Sequence, residues 1–98
     1  MAQLDVFRTV DGEYLVDFQS DLLDHLNTRF VIPLANPNKG PKVAERLNPI
    51  FTIDGERLAL YTQFALTVPE TDLKDRITSL SEQRYVIMDA FDLLISGY

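Results

Sequence analysis

The sequence predicts a mainly β fold, a compact barrel or half-barrel with one α-helix appended near its C-terminal end. Three observations carry this reading. Apolar runs are split by Asp11-Gly12 and again by Asp54-Gly55, dipeptides that suit tight hairpin turns. The other apolar runs are short and bounded by proline, asparagine and glycine. From Ser79 onward the apolar spacing changes to that of a helix.

In chain order, residues 4–9 and 14–19 read as a hairpin around Asp11-Gly12. "QSDLLDHLNT" is polar with two central leucines and reads as a loop or short turn. "RFVIPL" is an apolar strand in which Pro33 suggests an edge or a bulge. "ANPNKGP" is a loop, and "KVAERLN" one or two helical turns halted by Pro49. "IFTIDGERLALYT" is the clearest hairpin of the chain, and "FALTVP" adds one more strand. Five or six strands are expected in all. The 98 residues read as one domain, barrel over about 1–78 and helix over about 79–96. Ser79 and Glu82 have capping-box spacing, and Gly97 stands where a left-handed residue ends a helix.

Within that helix Glu82, Tyr85, Asp89, Asp92 and Ser96 recur at helical spacing and form one polar stripe. Almost everything else is apolar, whereas an ordinary surface helix buries a face about 100° wide. The remaining apolar flank implies a partner, most simply a second copy of the chain. Met88, Phe91, Leu94 and Ile95 are the expected dimer seam. Asp89 and Asp92 lie near the tail, where they would attract a basic surface.

The composition is 46% hydrophobic and 24% charged, ordinary for a globular protein, with net charge −6. That balance lacks the basic footprint of a nucleic-acid binder and favours protein partners. Without cysteine there is neither a disulfide framework nor thiolate chemistry. No signal peptide and no membrane span is apparent, so a cytoplasmic protein without a membrane partner is expected. His25, the only histidine, has Asp21 and Asp24 beside it but no third segment of ligands, so no metal and no cofactor is expected. No nucleophile elbow or phosphate loop occurs, and the chain is not expected to be an enzyme.

Several stretches taken together, "VDFQSDLLDHLNTRFVIPL", "ERLNPIFTIDGE", "ALTVP" and a closing "DLLISGY", resemble the CcdB family over nearly the whole chain. The resemblance implies an SH3-like barrel of the CcdB/MazF toxin type and a homodimer built around the C-terminal helices. It implies a toxin that binds the DNA gyrase A subunit and traps the cleaved-DNA complex. It also implies neutralisation by a CcdA-like antitoxin that contacts the first strands and the 36–48 region. The gyrase-facing residues it implies are Leu22 and Leu23 in the loop and Asp89, Asp92, Ile95, Ser96, Gly97 and Tyr98 at the helix end. Two of these depart from the family: Ser96 stands where its best-known member has tryptophan, and Tyr98 replaces a final isoleucine. Two alternatives stay open, an inactive or weakly toxic homologue that acts as an antitoxin-binding module in transcriptional autoregulation, and a MazF-like endoribonuclease on the same barrel.

Overall fold

The computed structural model describes residues 1–97. Among them are seven strands, β1 (Asp5–Arg8), β2 (Tyr14–Asp17), β3 (Thr28–Ala35), β4 (Ile50–Ile53), β5 (Glu56–Leu60), β6 (Leu66–Pro69) and β7 (Asp75–Ser79), followed by helix α1 (Arg84–Ser96). All pairings are antiparallel, in the order β4-β5-β3-β2-β1-β7, with β6 also on β3. The result is a mainly β half-barrel with a C-terminal helix. Both expected hairpins form, and the second turns through Asp54 and Gly55 at φ of 51° and 79°, as a type I′ turn requires.

Pro33 is neither at an edge nor in a bulge. It pairs with Leu15 of β2 on one side. On the other, β3 pairs β6 through Val31 and β5 from Leu34, so the proline falls in the gap between two partners. Its missing N–H costs no ladder bond there, and its carbonyl still accepts from the Tyr61 N–H at 2.9 Å. This exchange of partners along one long strand lets the sheet curl.

Side-chain alternation divides the sheet into two faces. Val6, Val16, Ile32 and Leu34 point to one side and form the main core with Ile53, Leu58, Leu60 and Ile87 of α1. Phe7, Leu15 and Val31 point the other way, into a smaller cluster closed by Leu73. Ile87, fully buried, contributes about 1.5–3 kcal/mol by leaving water, which holds the middle of α1 on the sheet.

Two expectations fail in the stretch before the helix. Residues 75–79 form a seventh strand, and α1 begins at Arg84 and not near Ser79. "DRITS" has one strongly apolar residue, so it shows no strand alternation, yet its backbone completes the ladder beside β1. Leu80 then turns into the core at 7% exposure, and a 3-10 turn over Ser81–Gln83 is needed before a helix can start. The Ser79–Glu82 capping box therefore does not form: Ser79 Oγ accepts from the Ser81 N–H at 3.1 Å, outside α1.

One ion pair lies wholly inside. Arg29 of β3 donates to Asp17 Oδ2 of β2 through Nη2 at 2.6 Å and Nε at 3.1 Å, with both side chains at 1% exposure or less. Burial pushes the Asp17 carboxyl above its ordinary value of 3.8, against the pull of Arg29 and of the Gln19 N–H. With the folded value the higher one, this carboxyl's contribution is complete below pH 3.8 and is lost as pH rises through the folded value. At neutral pH the pair thus fixes geometry more than it adds net stability.

Breaking the pair from one side is a different matter. Asp17→Ala strands a buried guanidinium and is expected to cost about 3–5 kcal/mol in urea unfolding. The double variant Asp17→Leu/Arg29→Met is expected to recover most of that loss. A single variant within about 0.5 kcal/mol of the parent would contradict the assignment.

Candidate functional site

The connection from β2 to β3 leaves the sheet through a polar neck. Asp17 Oδ1 accepts from the Gln19 N–H at 3.2 Å. The Gln19 side chain spans the neck: Oε1 accepts from the Phe30 N–H at 3.0 Å and Nε2 donates to the Leu23 carbonyl at 2.9 Å. Beyond it Ser20 Oγ accepts from the Leu22 N–H at 3.2 Å and caps a 3-10 turn over Asp21–Leu23. With its base fixed from inside, the turn presents both expected leucines to solvent, Leu22 at 87% and Leu23 at 45% exposure.

The other half of the candidate surface is the end of α1. Met88 and Phe91, expected in a dimer seam, are partly buried against this chain's own core. The Phe91 ring lies 4.7 Å from that of Phe18 and 6.0 Å from that of Phe30. Leu94 and Ile95 are exposed, Ile95 at 67%. Leu94 follows Ile87 by seven residues and so stands on the same side of the helix, yet Ile87 is buried and Leu94 is not. The core ends beneath the last turn, and the helix overhangs it. Gly97 closes α1 at φ 80°, its N–H bonded to the Leu93 carbonyl at 3.0 Å, a conformation that would strain any side chain. Ser96 and Gly97 are exposed, and Tyr98 lies outside the described residues.

Loop and helix share one side of the sheet. Phe18, at the root of the loop, packs on Phe91, one turn before Ile95. Asp21 Oδ1 accepts from the Gln3 N–H at 2.8 Å, and Gln3 Oε1 accepts from Arg84 Nη1 at 2.7 Å, which ties the loop to the first turn of α1 as well.

The helix's two acids differ in a way the sequence does not show. Arg46 holds Asp89 in a two-pronged contact, Nε to Oδ2 at 2.7 Å and Nη2 to Oδ1 at 2.8 Å. The guanidinium lowers the Asp89 carboxyl below its ordinary value, and the same contact raises Arg46, with Asp92 adding to that rise. Asp92 forms no ion pair among the described residues and stays exposed. Arg46 had no signal in sequence because its partner is 43 positions away.

The loop that carries Arg46 is itself pinned. Thr62 Oγ1 donates to the Leu47 carbonyl at 2.7 Å, Asn48 Nδ2 to the Leu60 carbonyl at 3.0 Å, and Tyr61 Oη to the Pro41 carbonyl at 3.1 Å. Gly40 lies under the Tyr61 ring, where a Cβ would stand 2.5 Å from the hydroxyl. The 36–48 region, implied by resemblance to meet an antitoxin, is a surface loop on this fixed base.

A family model described as CcdB protein matches residues 3–97. In fold, the chain is similar to a solved structure titled an endoribonuclease from mycobacterial species, with a TM-score of 0.76 and 10% identity over 97% of this chain and 90% of that one. It is also similar to the Mycobacterium tuberculosis toxin MazF-mt6, with a TM-score of 0.75 and 13% identity over 93% of this chain and 94% of that one. At these identities the likeness is one of fold.

The Arg46–Asp89 contact has a testable signature. Asp89 has its folded value depressed, so its contribution is present above pH 3.8 and lost as pH falls through the folded value. Asp89→Asn is expected to melt slightly below the parent at neutral pH, with the gap closing as pH falls below 3.8 and through the folded value. A gap that persists at about pH 2 would contradict the pairing.

Proposed function

The chain belongs to the CcdB family of toxin–antitoxin toxins, and from that premise we propose that it acts by binding, as a poison of DNA gyrase. Two copies join along α1, and the helix ends with the Leu22–Leu23 loops dock on the gyrase A subunit and trap its complex with cleaved DNA. A CcdA-like antitoxin neutralises the toxin through the first strands and the 36–48 loop. The observation that carries this reading is the overhang of α1: Leu94, Ile95, Ser96 and Gly97 stand free of a core that already uses Ile87, Ala90 and Phe91.

An exposed isoleucine is a source of affinity only when something covers it, at about 25 cal/mol per Å² removed from water. Leu22, Leu23, Leu94 and Ile95 supply that area on both halves of the surface. Tyr85 and Val86, also exposed on α1, are further area for a second copy. Asp92 supplies a charge for a basic surface on the partner. Ser96 removes what a tryptophan stacked on an arginine contributes when desolvated, up to about 2 kcal/mol, so the aliphatic residues carry more of the load. That same serine supports a second reading, a homologue that binds antitoxin without poisoning gyrase.

The endoribonuclease alternative has the fold likeness in its favour. Against it stand a net charge of −6, unsuited to holding phosphates, and a single histidine, exposed on the loop that carries Leu22 and Leu23.

Purified protein is expected to retain the gyrase A subunit in a pull-down and to build up linear DNA with gyrase and ATP. Ile95→Asp is expected to raise the concentration needed about tenfold or more while leaving the melting temperature unchanged, since the side chain is exposed. Unchanged potency in that variant would contradict the tail as the docking surface. Tight antitoxin binding without linear DNA would select the second reading.

A further inference from the structure

The chain carries two nearly identical tetrapeptides, Val10-Asp11-Gly12-Glu13 and Ile53-Asp54-Gly55-Glu56, and each turns a hairpin. Aspartate before glycine is a reactive pair. Glycine has no Cβ to shield its nitrogen, so that nitrogen can close a five-membered ring on the aspartate side chain. In an unfolded chain the two pairs would react alike, because their neighbours are alike. The fold makes them different.

Asp54 and Gly55 alone connect the paired residues Ile53 and Glu56, and both sit in the left-handed region, at φ of 51° and 79°. Arg8 Nη2 donates to Asp54 Oδ2 at 3.0 Å, and Arg8 is itself held by the Tyr14 hydroxyl at 3.1 Å, its guanidinium over the Tyr14 ring. To close a ring, the Asp54 side chain must leave that cation and distort a turn tied to the ladder on both sides. The first hairpin has more slack. Its last paired residues are Arg8 and Tyr14, so residues 9–13 all lie in the connection. The tip is held by the Thr9 N–H on the Glu13 carbonyl at 2.8 Å, the Glu13 N–H on Thr9 Oγ1 at 3.1 Å and the Gly12 N–H on the Thr9 carbonyl at 3.0 Å. Only the last of these occupies the Gly12 nitrogen, and it lies in an exposed turn, where local opening costs least. Asp11 is exposed and in no ion pair among the described residues.

We propose that Asp11-Gly12 is a site of spontaneous covalent modification, conversion of Asp11 to isoaspartate, from which Arg8 protects Asp54. The Gly12 nitrogen gives up its proton and bonds to Cγ of the protonated Asp11 carboxyl. The Cγ–OH bond breaks, and the hydroxyl leaves as water with the proton that the nitrogen released. The product is a succinimide ring. Water then adds back at one of two carbons. Attack at Cγ breaks the new N–Cγ bond and restores Asp11. Attack at the Asp11 main-chain carbonyl carbon breaks its bond to the nitrogen, and the main chain now runs through Cβ and Cγ. The mass is unchanged, the turn gains one backbone carbon, and the carboxylate moves onto Cα. Only water takes part, so the site exists whether or not the tail binds gyrase.

The test keeps the whole chain warm at neutral pH, either folded or in urea, and then digests it. A protein-isoaspartate methyltransferase with labelled S-adenosylmethionine marks isoaspartyl peptides, and electron-transfer fragmentation places the added backbone carbon. In the folded protein, label is expected at residue 11 several-fold faster than at residue 54. In urea the two rates are expected to converge. Asp11→Glu is expected to abolish the first signal with the hairpin intact, since its longer side chain would have to close a six-membered ring. Arg8→Gln is expected to raise label at residue 54 and leave residue 11 as it was. Amide NMR signals of the aged protein are expected to shift at 9–13, with 22–23 and 94–97 in place. No label at residue 11 in the folded protein, label at residue 54 as fast or faster, a ratio unchanged by urea, or no response of residue 54 to Arg8→Gln would each overturn the proposal.

Discussion

The buried contact between Asp17 and Arg29 is the constraint on which the candidate surface depends. It joins β2 to β3 where the chain between them leaves the sheet. Two charges inside a small protein are a weak source of stability, because desolvation cancels most of their attraction. What they supply is register. Asp17 also orders Gln19, Gln19 closes the neck onto Phe30 and Leu23, and the turn beyond has no option but to face outward. An apolar replacement of the pair would bury as well, but it would give Gln19 nothing to align against. The exposed leucines are therefore a consequence of a satisfied polar interior, with no buried side-chain polar atom left unpartnered among the described residues.

From that neck the constraint passes to the helix. Phe18 and Phe30 flank it in sequence, and both rings meet Phe91. Aromatic contacts of this kind are worth about 0.5–1.5 kcal/mol each beyond area burial, enough to hold the middle of α1 in one place. The last turn runs past the core, and Gly97 stops it in the left-handed region. Arg46 reaches the helix from the opposite flank and takes Asp89. The helix is thus fixed along its length by groups from three parts of the chain, while its end stays open. A rigid overhang loses little conformational freedom when a partner covers it, which favours recognition over a flexible tail of the same composition.

Local chemistry made much of this legible. Both Asp-Gly hairpins could be read because turn residues report backbone angles directly. Gly97 could be placed as a cap for the same reason, and the half-barrel followed from the density of short runs. What escaped were features decided by distant backbone. β7 has the composition of a loop and is a strand only because β1 needs a partner. The helix start moved from Ser79 to Arg84 because Leu80 is drawn into the core, and tertiary burial outweighs a capping pattern. Pro33 sits in a gap that exists only once β5 and β6 both claim β3. In the candidate site Leu22 and Leu23 came from the family resemblance and Ile95 was expected both at the helix end and in a dimer seam; their exposure is what the fold adds. The division of roles between Asp89 and Asp92 was not, since Arg46 is remote in sequence. Met88 and Phe91 pack partly on the chain's own core, which apolar spacing along a helix could not show.

The account turns on one claim, that the overhanging end of α1 and the Leu22–Leu23 turn are covered together by the gyrase A subunit. Hydrogen exchange of the protein alone and with that subunit tests it most directly. Slowed exchange confined to 20–24 and 93–97, with β4 and β7 unchanged, is the result the account predicts. Protection elsewhere with those two segments exchanging as before, or none at saturating subunit, would contradict it.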